Sequence, residues 1–211
     1  MFQDLPRPEN PDADPGEAVR WDILMHASEL FLHYGFSKTN IGDIAERSGM
    51  SPGNLYRYFK NKQAIGLSVV EKYFQMVQAG METVLMFPEG TPRDRIHQFL
   101  RREVEDMVSK LEEAPRLVEM ADFVWEDDDG FAILQSHFAW KRRHIGNELQ
   151  RGIDAGDFRP IDDLEDTARI MSQTLKPFSA PFILIRWRDK STILPEFDES
   201  FHLIMSGIEA R

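Results

Sequence analysis

Cysteine is absent from the 211 residues. That excludes disulfides, thiolate nucleophiles, thiolate zinc sites and iron–sulfur clusters, and it fits a reducing cytoplasm. Also missing is any run near the ~18–20 apolar residues that a membrane helix needs. The opening MFQDLPRPENPDADPG has neither a basic nor an apolar stretch of the kind a secretory signal requires. No segment alternates cleanly or reads as a β-branched strand between turn signals, and no repeat of solenoid period is present. Positive charge is scarce: 25 Lys+Arg face 36 Asp+Glu, a formal charge of −11. Nucleic acid can then be bound only through a local patch. G-x-S-x-G, a phosphate-cradling Gly loop and H-E-x-x-H are lacking as well, so no enzyme motif is recognisable.

What is present is helical period. The length allows one large domain or two small ones. Residues 1–16, with Pro6, Pro8, Pro11 and Pro15 among polar residues, read as a disordered tail. Ile23, Ala27, Leu30, Phe31 and Tyr34 then mark one face of a helix that Gly35 ends. Comparable stripes recur to Ile208, which predicts an all-α chain of about nine helices. Phe182–Ile185, after Pro181, is also read as helical, and Pro177 and Pro181 interrupt the helix succession there.

The stretch from Ser37 to Lys72 carries the chemistry. Two short helices flank Ser48-Gly49-Met50-Ser51, the Gly-containing turn of a helix-turn-helix. Asn40 is positioned to cap the first of them, with Asp43 three residues on. Ser51 caps the next, with Pro52 at its first position, and Asn61 caps the one after. Turning Leu55 and Phe59 inward toward Ile41, Ile44, Ala45 and Leu30 leaves Asn54, Arg57 and Tyr58 facing out, with Tyr56 at the border. From Ser37 to Lys62, five cations (Lys38, Arg47, Arg57, Lys60, Lys62) meet two acids (Asp43, Glu46), a local +3. Residues 81–211, with 17 Lys+Arg and 26 Asp+Glu, sum to −9. A short positive, aromatic-bearing helix on an acidic chain is the footprint of DNA binding.

The run G-F-x-K-T-N-I-x-D-I-A-x-x-S-G-M-S-x-G-N-L-Y-R-Y-F-K-N-K, within Phe31–Phe74, resembles the DNA-binding domain of the TetR family of transcriptional regulators. The resemblance implies three parts: the tail at 1–16, a helix-turn-helix domain at 17–63, and a ligand-binding and dimerisation domain at 64–211. It implies a cytoplasmic homodimer that binds a double-stranded operator, acts as a repressor, and is released by a small molecule; no enzyme activity, cofactor or metal is implied. By position, the recognition helix is Pro52–Phe59. Ser51, Pro52, Gly53 and Asn54 lie nearest the base edges, Tyr56, Arg57 and Tyr58 meet phosphates or groove walls, and Lys62 takes a phosphate. Thr39 and Asn40 present the start of their helix to another phosphate. Four departures stand out: Asn40 where Thr is usual, Gly42 where a longer side chain is common, Gln63-Ala64 in place of an acidic pair, and Pro177 and Pro181 within the segment that the resemblance makes a dimer helix.

Other features have plainer readings. The six histidines, His26, His33, His97, His137, His144 and His202, lack the close spacing of a metal site. Glu126–Gly130 reads as a solvated turn in which one Asp caps the next helix, and Lys141-Arg142-Arg143 as a solvated helix face. Phe99, Met107, Met120, Phe123, Trp125 and Phe138 are candidates to line a cavity for an apolar or amphipathic effector. The acidic surplus of the domain favours a cationic over an anionic group on it. The stripes Leu164, Ala168, Met171, Leu175 and Phe197, Phe201, Ile204, Ile208 are candidates for a dimer contact. Two alternatives remain at this stage: a helical protein-interaction module, and an enzyme without a recognisable motif.

Overall fold

The computed structural model describes residues 15–86, 90–114, 116–187 and 189–210. They form ten α-helices: α1 (Pro15–Tyr34), α2 (Ile41–Arg47), α3 (Pro52–Leu55), α4 (Lys62–Met86), α5 (Pro92–Glu113), α6 (Leu117–Glu126), α7 (Asp128–Ala155), α8 (Leu164–Leu175), α9 (Pro181–Leu184) and α10 (Ile193–Ser206). Short 3-10 turns at Lys176–Phe178 and Lys190–Thr192 flank α9. Among the described residues the one β feature is an isolated antiparallel bridge between Phe158 and Glu209. The chain is all-α, as expected, and α9 is the short helix beyond the nine counted from periodicity.

Local chemistry sets most boundaries. Pro52, Pro92 and Pro181 each open a helix, where a missing N–H costs nothing. Thr91 caps α5: its Oγ1 accepts from Asp94 N–H at 3.2 Å, and Asp94 Oδ2 accepts in return from Thr91 N–H at 3.0 Å. These bonds from Thr91 hold the Asp94 carboxyl below its usual range. Gly35, at φ +91°, ends α1. Outside the helix-turn-helix, two boundaries differ from the sequence reading. Pro15 and Gly16, assigned to the tail, begin α1, while residues 1–14 of that tail lie outside the described residues. The acidic turn shrinks to Asp127 alone, because Asp128 and Asp129 already belong to α7. Asp127 Oδ1 accepts from Gly130 N–H at 3.0 Å, so the capping role holds.

Two compact units are present. The first holds residues 15–76 and Lys110–Ile133. Its core includes Ile23, Ala27, Phe31, Ile44, Ala45, Leu55 and Ile65, all fully buried. Helix α6 belongs here: Phe123 stacks on Phe36 at 4.2 Å between centroids, and both rings lie against Gly66. A Cβ on Gly66 would stand 2.7 Å from the Phe36 ring, closer than carbon atoms tolerate. The second unit holds described residues of Val77–Ser109 and Leu134–Arg211. Phe99, Ile96, Ile145, Leu149, Phe197 and Phe201 form its centre.

Candidate functional site

The helix-turn-helix is fixed by its caps. Asn40 Oδ1 accepts from Asp43 N–H at 3.1 Å and Asp43 Oδ2 accepts from Asn40 N–H at 2.9 Å, so two otherwise orphaned donors are satisfied. At the far end of α2, Met50 N–H reaches Ala45 O at 2.9 Å and Gly49 N–H reaches Glu46 O at 3.0 Å. That closure needs a left-handed residue, and Gly49 supplies it at φ +68°. Ser51 Oγ then accepts from Asn54 N–H at 3.2 Å and starts α3. The recognition segment was expected as one helix over Pro52–Phe59. The helix proper ends at Leu55, and tighter turns carry the chain on, with Arg57 N–H on Asn54 O and Tyr58 N–H on Leu55 O. Leu55 and Phe59 are buried, which anchors both ends of this segment.

The exposed face that results carries Ser51, Pro52, Gly53, Tyr56 and Arg57, with Asn54 and Tyr58 half-buried beside them. Asn40 is exposed too, but its side chain is committed to the cap. Arg20 of α1, which the sequence reading passed over, donates to Tyr58 O at 2.6 Å and lies over the Tyr58 and Phe59 rings. It ties the end of the recognition segment to α1. No local motif announces such a residue, since its partner is 38 positions away.

Thr39 and Lys62, both expected near phosphates, direct their side-chain donors to backbone carbonyls. Thr39 is buried, and its hydroxyl donates to Gly35 O at 2.9 Å. The Lys62 ammonium donates to Phe36 O at 2.8 Å and Thr39 O at 2.9 Å, and lies 4.5 Å from the Phe36 ring centroid. Burial pulls this ammonium below the usual lysine range. Both side chains bind the loop between α1 and α2. For Lys62 this corrects the expected phosphate contact, because backbone carbonyls, the nearest acceptors, take its donors. The expectation for Thr39 concerns the start of α2 and not its hydroxyl.

In the second unit, Lys141 of α7 was read as part of a solvated face and is instead buried. Its Nζ donates to Glu103 Oε2 at 2.8 Å and to Oε1 at 3.1 Å. Only 4% of the Lys141 side chain and 12% of the Glu103 side chain remain accessible. Buried His137 stands between Gln78 Nε2, at 3.3 Å from Nδ1, and Glu103 Oε1, at 3.4 Å from Nε2. Burial pushes the Glu103 carboxyl up, but the Lys141 charge and the His137 hydrogen bond outweigh it and bring it to about 2. Lys176 lies 4.6 Å from the Phe138 centroid, over which Lys141 also sits at 5.6 Å. Burial, then the charge of Lys141, lower the Lys176 ammonium, against the pull of Glu103.

The cavity candidates separate. Met120, Phe123 and Trp125 belong to the first unit, where Met120 is core, Phe123 stacks on Phe36 and Trp125 is 41% exposed. Phe99, Met107 and Phe138 belong to the second. The dimer candidates need correction. Ala168, Met171, Leu175, Phe197, Phe201 and Ile208 are buried within this chain, and Leu164 and Ile204 are half-buried. Helical period finds the stripe that is buried, and here its partner is the chain's own core. The apolar side chains that α8 and α10 turn outward are Ile170, 49% exposed, and Leu203, 74% exposed. Among the described residues, no group of three or more His, Asp or Glu is placed to hold a metal ion, and no helix is long and apolar enough to cross a membrane.

A capped helix-turn-helix in an all-α chain defines a DNA-binding regulator. Residues 23–69 match the bacterial regulatory proteins of the tetR family, and residues 92–199 match the tetracyclin repressor-like C-terminal domain. The chain belongs to the TetR family and is a transcriptional regulator of that family. Among curated relatives, it is 24% identical over 157 residues to the HTH-type transcriptional regulator YfiR of Bacillus subtilis, covering 70% of this chain and 72% of that one. It is 23% identical over 185 residues to the HTH-type transcriptional repressor KstR2 of Mycolicibacterium smegmatis, covering 84% and 83%. A TetR transcription regulator from Haloarcula marismortui has the same fold, with a TM-score of 0.74 at 16% identity over 91% of this chain and 98% of the other. Regulators of this family bind DNA operators and small-molecule ligands as dimers.

Proposed function

We propose that the chain is a cytoplasmic homodimeric repressor that leaves its operator when a small apolar or amphipathic molecule binds. Residues 17–63 carry DNA binding, and residues 64–211 carry effector binding and dimerisation. The observation that carries the reading is the exposed Tyr56–Arg57 edge, with half-buried Asn54 beside it, held on a frame in which α2 and α3 both start at side-chain caps. Ser51, Pro52, Gly53 and Asn54 approach bases, since an amide offers a donor and an acceptor to one base edge. Tyr56, Arg57 and Tyr58 meet phosphates, and Asn40, through the start of α2, meets another. Thr39 and Lys62 support this surface from behind. The action is binding, without catalysis.

Dimerisation is proposed through the outward aliphatics of α8 and α10, with Ile170 and Leu203 at the centre. The pairing sets two recognition segments about one DNA turn apart, roughly 34–36 Å. An effector acts by preferring the dimer geometry that misplaces them. Among the expected effector contacts, Phe99, Met107 and Phe138 fit this role within one unit.

Selection of duplexes from a random pool tests the reading. Wild-type protein is expected to enrich an inverted repeat, and Asn54→Ala to relax one position in each half-site at a cost of ~1–3 kcal/mol. Recovery of no preferred sequence contradicts it. Sedimentation at micromolar concentration is expected to show a dimer for the wild type and a folded monomer for Leu203→Glu.

A further inference from the structure

The recognition segment has an anchored inner face and a lightly held outer edge. Leu55 and Phe59, both buried, pin it from within. Beyond Leu55 the chain continues on turn bonds, Arg57 N–H to Asn54 O at 3.1 Å and Tyr58 N–H to Leu55 O at 2.9 Å. A four-residue helix followed by tight turns has few backbone bonds to keep its outward residues still. Tyr56 and Arg57 stand exposed on that edge, with Tyr58 half-buried at its end. The Arg20 guanidinium of α1 meets the edge there. Its Nη1 donates to Tyr58 O at 2.6 Å, while its Cζ lies 5.4 Å from the Phe59 ring centroid and 5.9 Å from that of Tyr58. A charge-assisted bond and two ring contacts therefore converge on the end of the segment, from a helix that its turn bonds do not involve.

We propose that Arg20 is a positioning residue for DNA reading: it fixes the Tyr56–Arg57–Tyr58 edge against α1 and so sets the register in which Ser51–Asn54 meet the bases. It acts through that edge and takes no phosphate of its own. The inference rests on the contact reading above and adds to it a residue of α1. Phosphate contacts set where a protein sits on the duplex, and base contacts read only from the register so set. An edge held before binding also has less freedom to lose on binding. Specific binding gains most from the tie, because a random duplex is held in many registers by charge alone. The partners of Arg20 are residues 58 and 59, so the tie bears on the end of the segment and not on the caps at Asn40 and Ser51.

The test measures affinity of the full chain for a selected and a random duplex, across a range of salt, in wild type, Arg20→Gln, Arg57→Ala and the double variant. Arg20→Gln is expected to weaken the selected duplex about tenfold and the random duplex less than about threefold, with the salt slope of wild type. In the Arg57→Ala background the same change should cost less than about threefold, since the edge that Arg20 holds has already lost its charged contact. Unchanged affinity in Arg20→Gln, an equal loss on both duplexes, a slope flattened by about one unit as for a direct phosphate contact, or a full tenfold loss in the Arg57→Ala background overturns the inference. Thermal melting without DNA verifies that each variant is folded at the assay temperature. Arg57→Ala alone tests the contact reading separately. A wild-type slope there removes that reading, whereas a flattened slope there, together with a contrary result for Arg20→Gln, removes only the role of Arg20.

Discussion

The helix-turn-helix and the Glu103 cluster use polar side chains in opposite ways. Around the turn, Asn40, Ser51 and Asn61 each reach a backbone N–H three residues away, at 3.1, 3.2 and 2.8 Å. These bonds lie at or near the surface and are individually modest. In the second unit, Glu103 meets Lys141 and His137 across separations of 38 and 34 residues, in an environment nearly closed to water. The first arrangement is a row of replaceable caps. The second is an interdependent set, in which losing one member strands another.

The comparison breaks most visibly at Lys141. Lys141→Ala leaves the Glu103 carboxylate buried without its main counter-charge, an expected cost of ~3–5 kcal/mol in urea unfolding. The double variant Glu103→Leu/Lys141→Met should recover most of that loss, since an apolar pair of similar size needs no counter-charge. Acid acts on the same network. The Glu103 carboxyl sits at about 2 in the folded chain, below its unfolded value, so its contribution is complete above roughly pH 4.3 and disappears as pH falls toward 2. Melting from pH 5 to 2 should show a steeper fall for wild type than for the double variant.

Lys62 sharpens the contrast, because it sits in the first unit but behaves like the second. Lys62→Ala removes bonds to the Phe36 and Thr39 carbonyls, with an expected loss of ~1–3 kcal/mol by urea titration. Asn40→Ala should be the mildest, about 1 kcal/mol, because it deletes one exposed cap. A larger effect at Asn40 than at Lys141 would invert the comparison.

These two classes also divide what the sequence made legible. The caps at Asn40, Ser51 and Asn61, the Gly49 turn and the buried Leu55 and Phe59 follow from residues a few positions apart. All were readable from spacing. The loop-holding role of Lys62, the Arg20 tie and the Lys141–Glu103 pair each depend on a partner more than 20 residues away, which local pattern does not encode. The stripes of α8 and α10 teach a related lesson. Periodicity located Phe197 and Phe201 as buried, yet it carries no information on whether the covering surface belongs to the same chain or to a partner.

The central claim is that the exposed Arg57 face meets DNA while Lys62 holds the loop behind it. Affinity for a selected duplex, measured across a range of salt concentrations for wild type, Arg57→Ala and Lys62→Ala, tests this most directly. The account predicts that Arg57→Ala flattens the slope of log affinity against log salt by about one unit per subunit. It predicts a weaker Lys62→Ala complex with an unchanged slope. A slope that flattens for Lys62→Ala and stays intact for Arg57→Ala would contradict it.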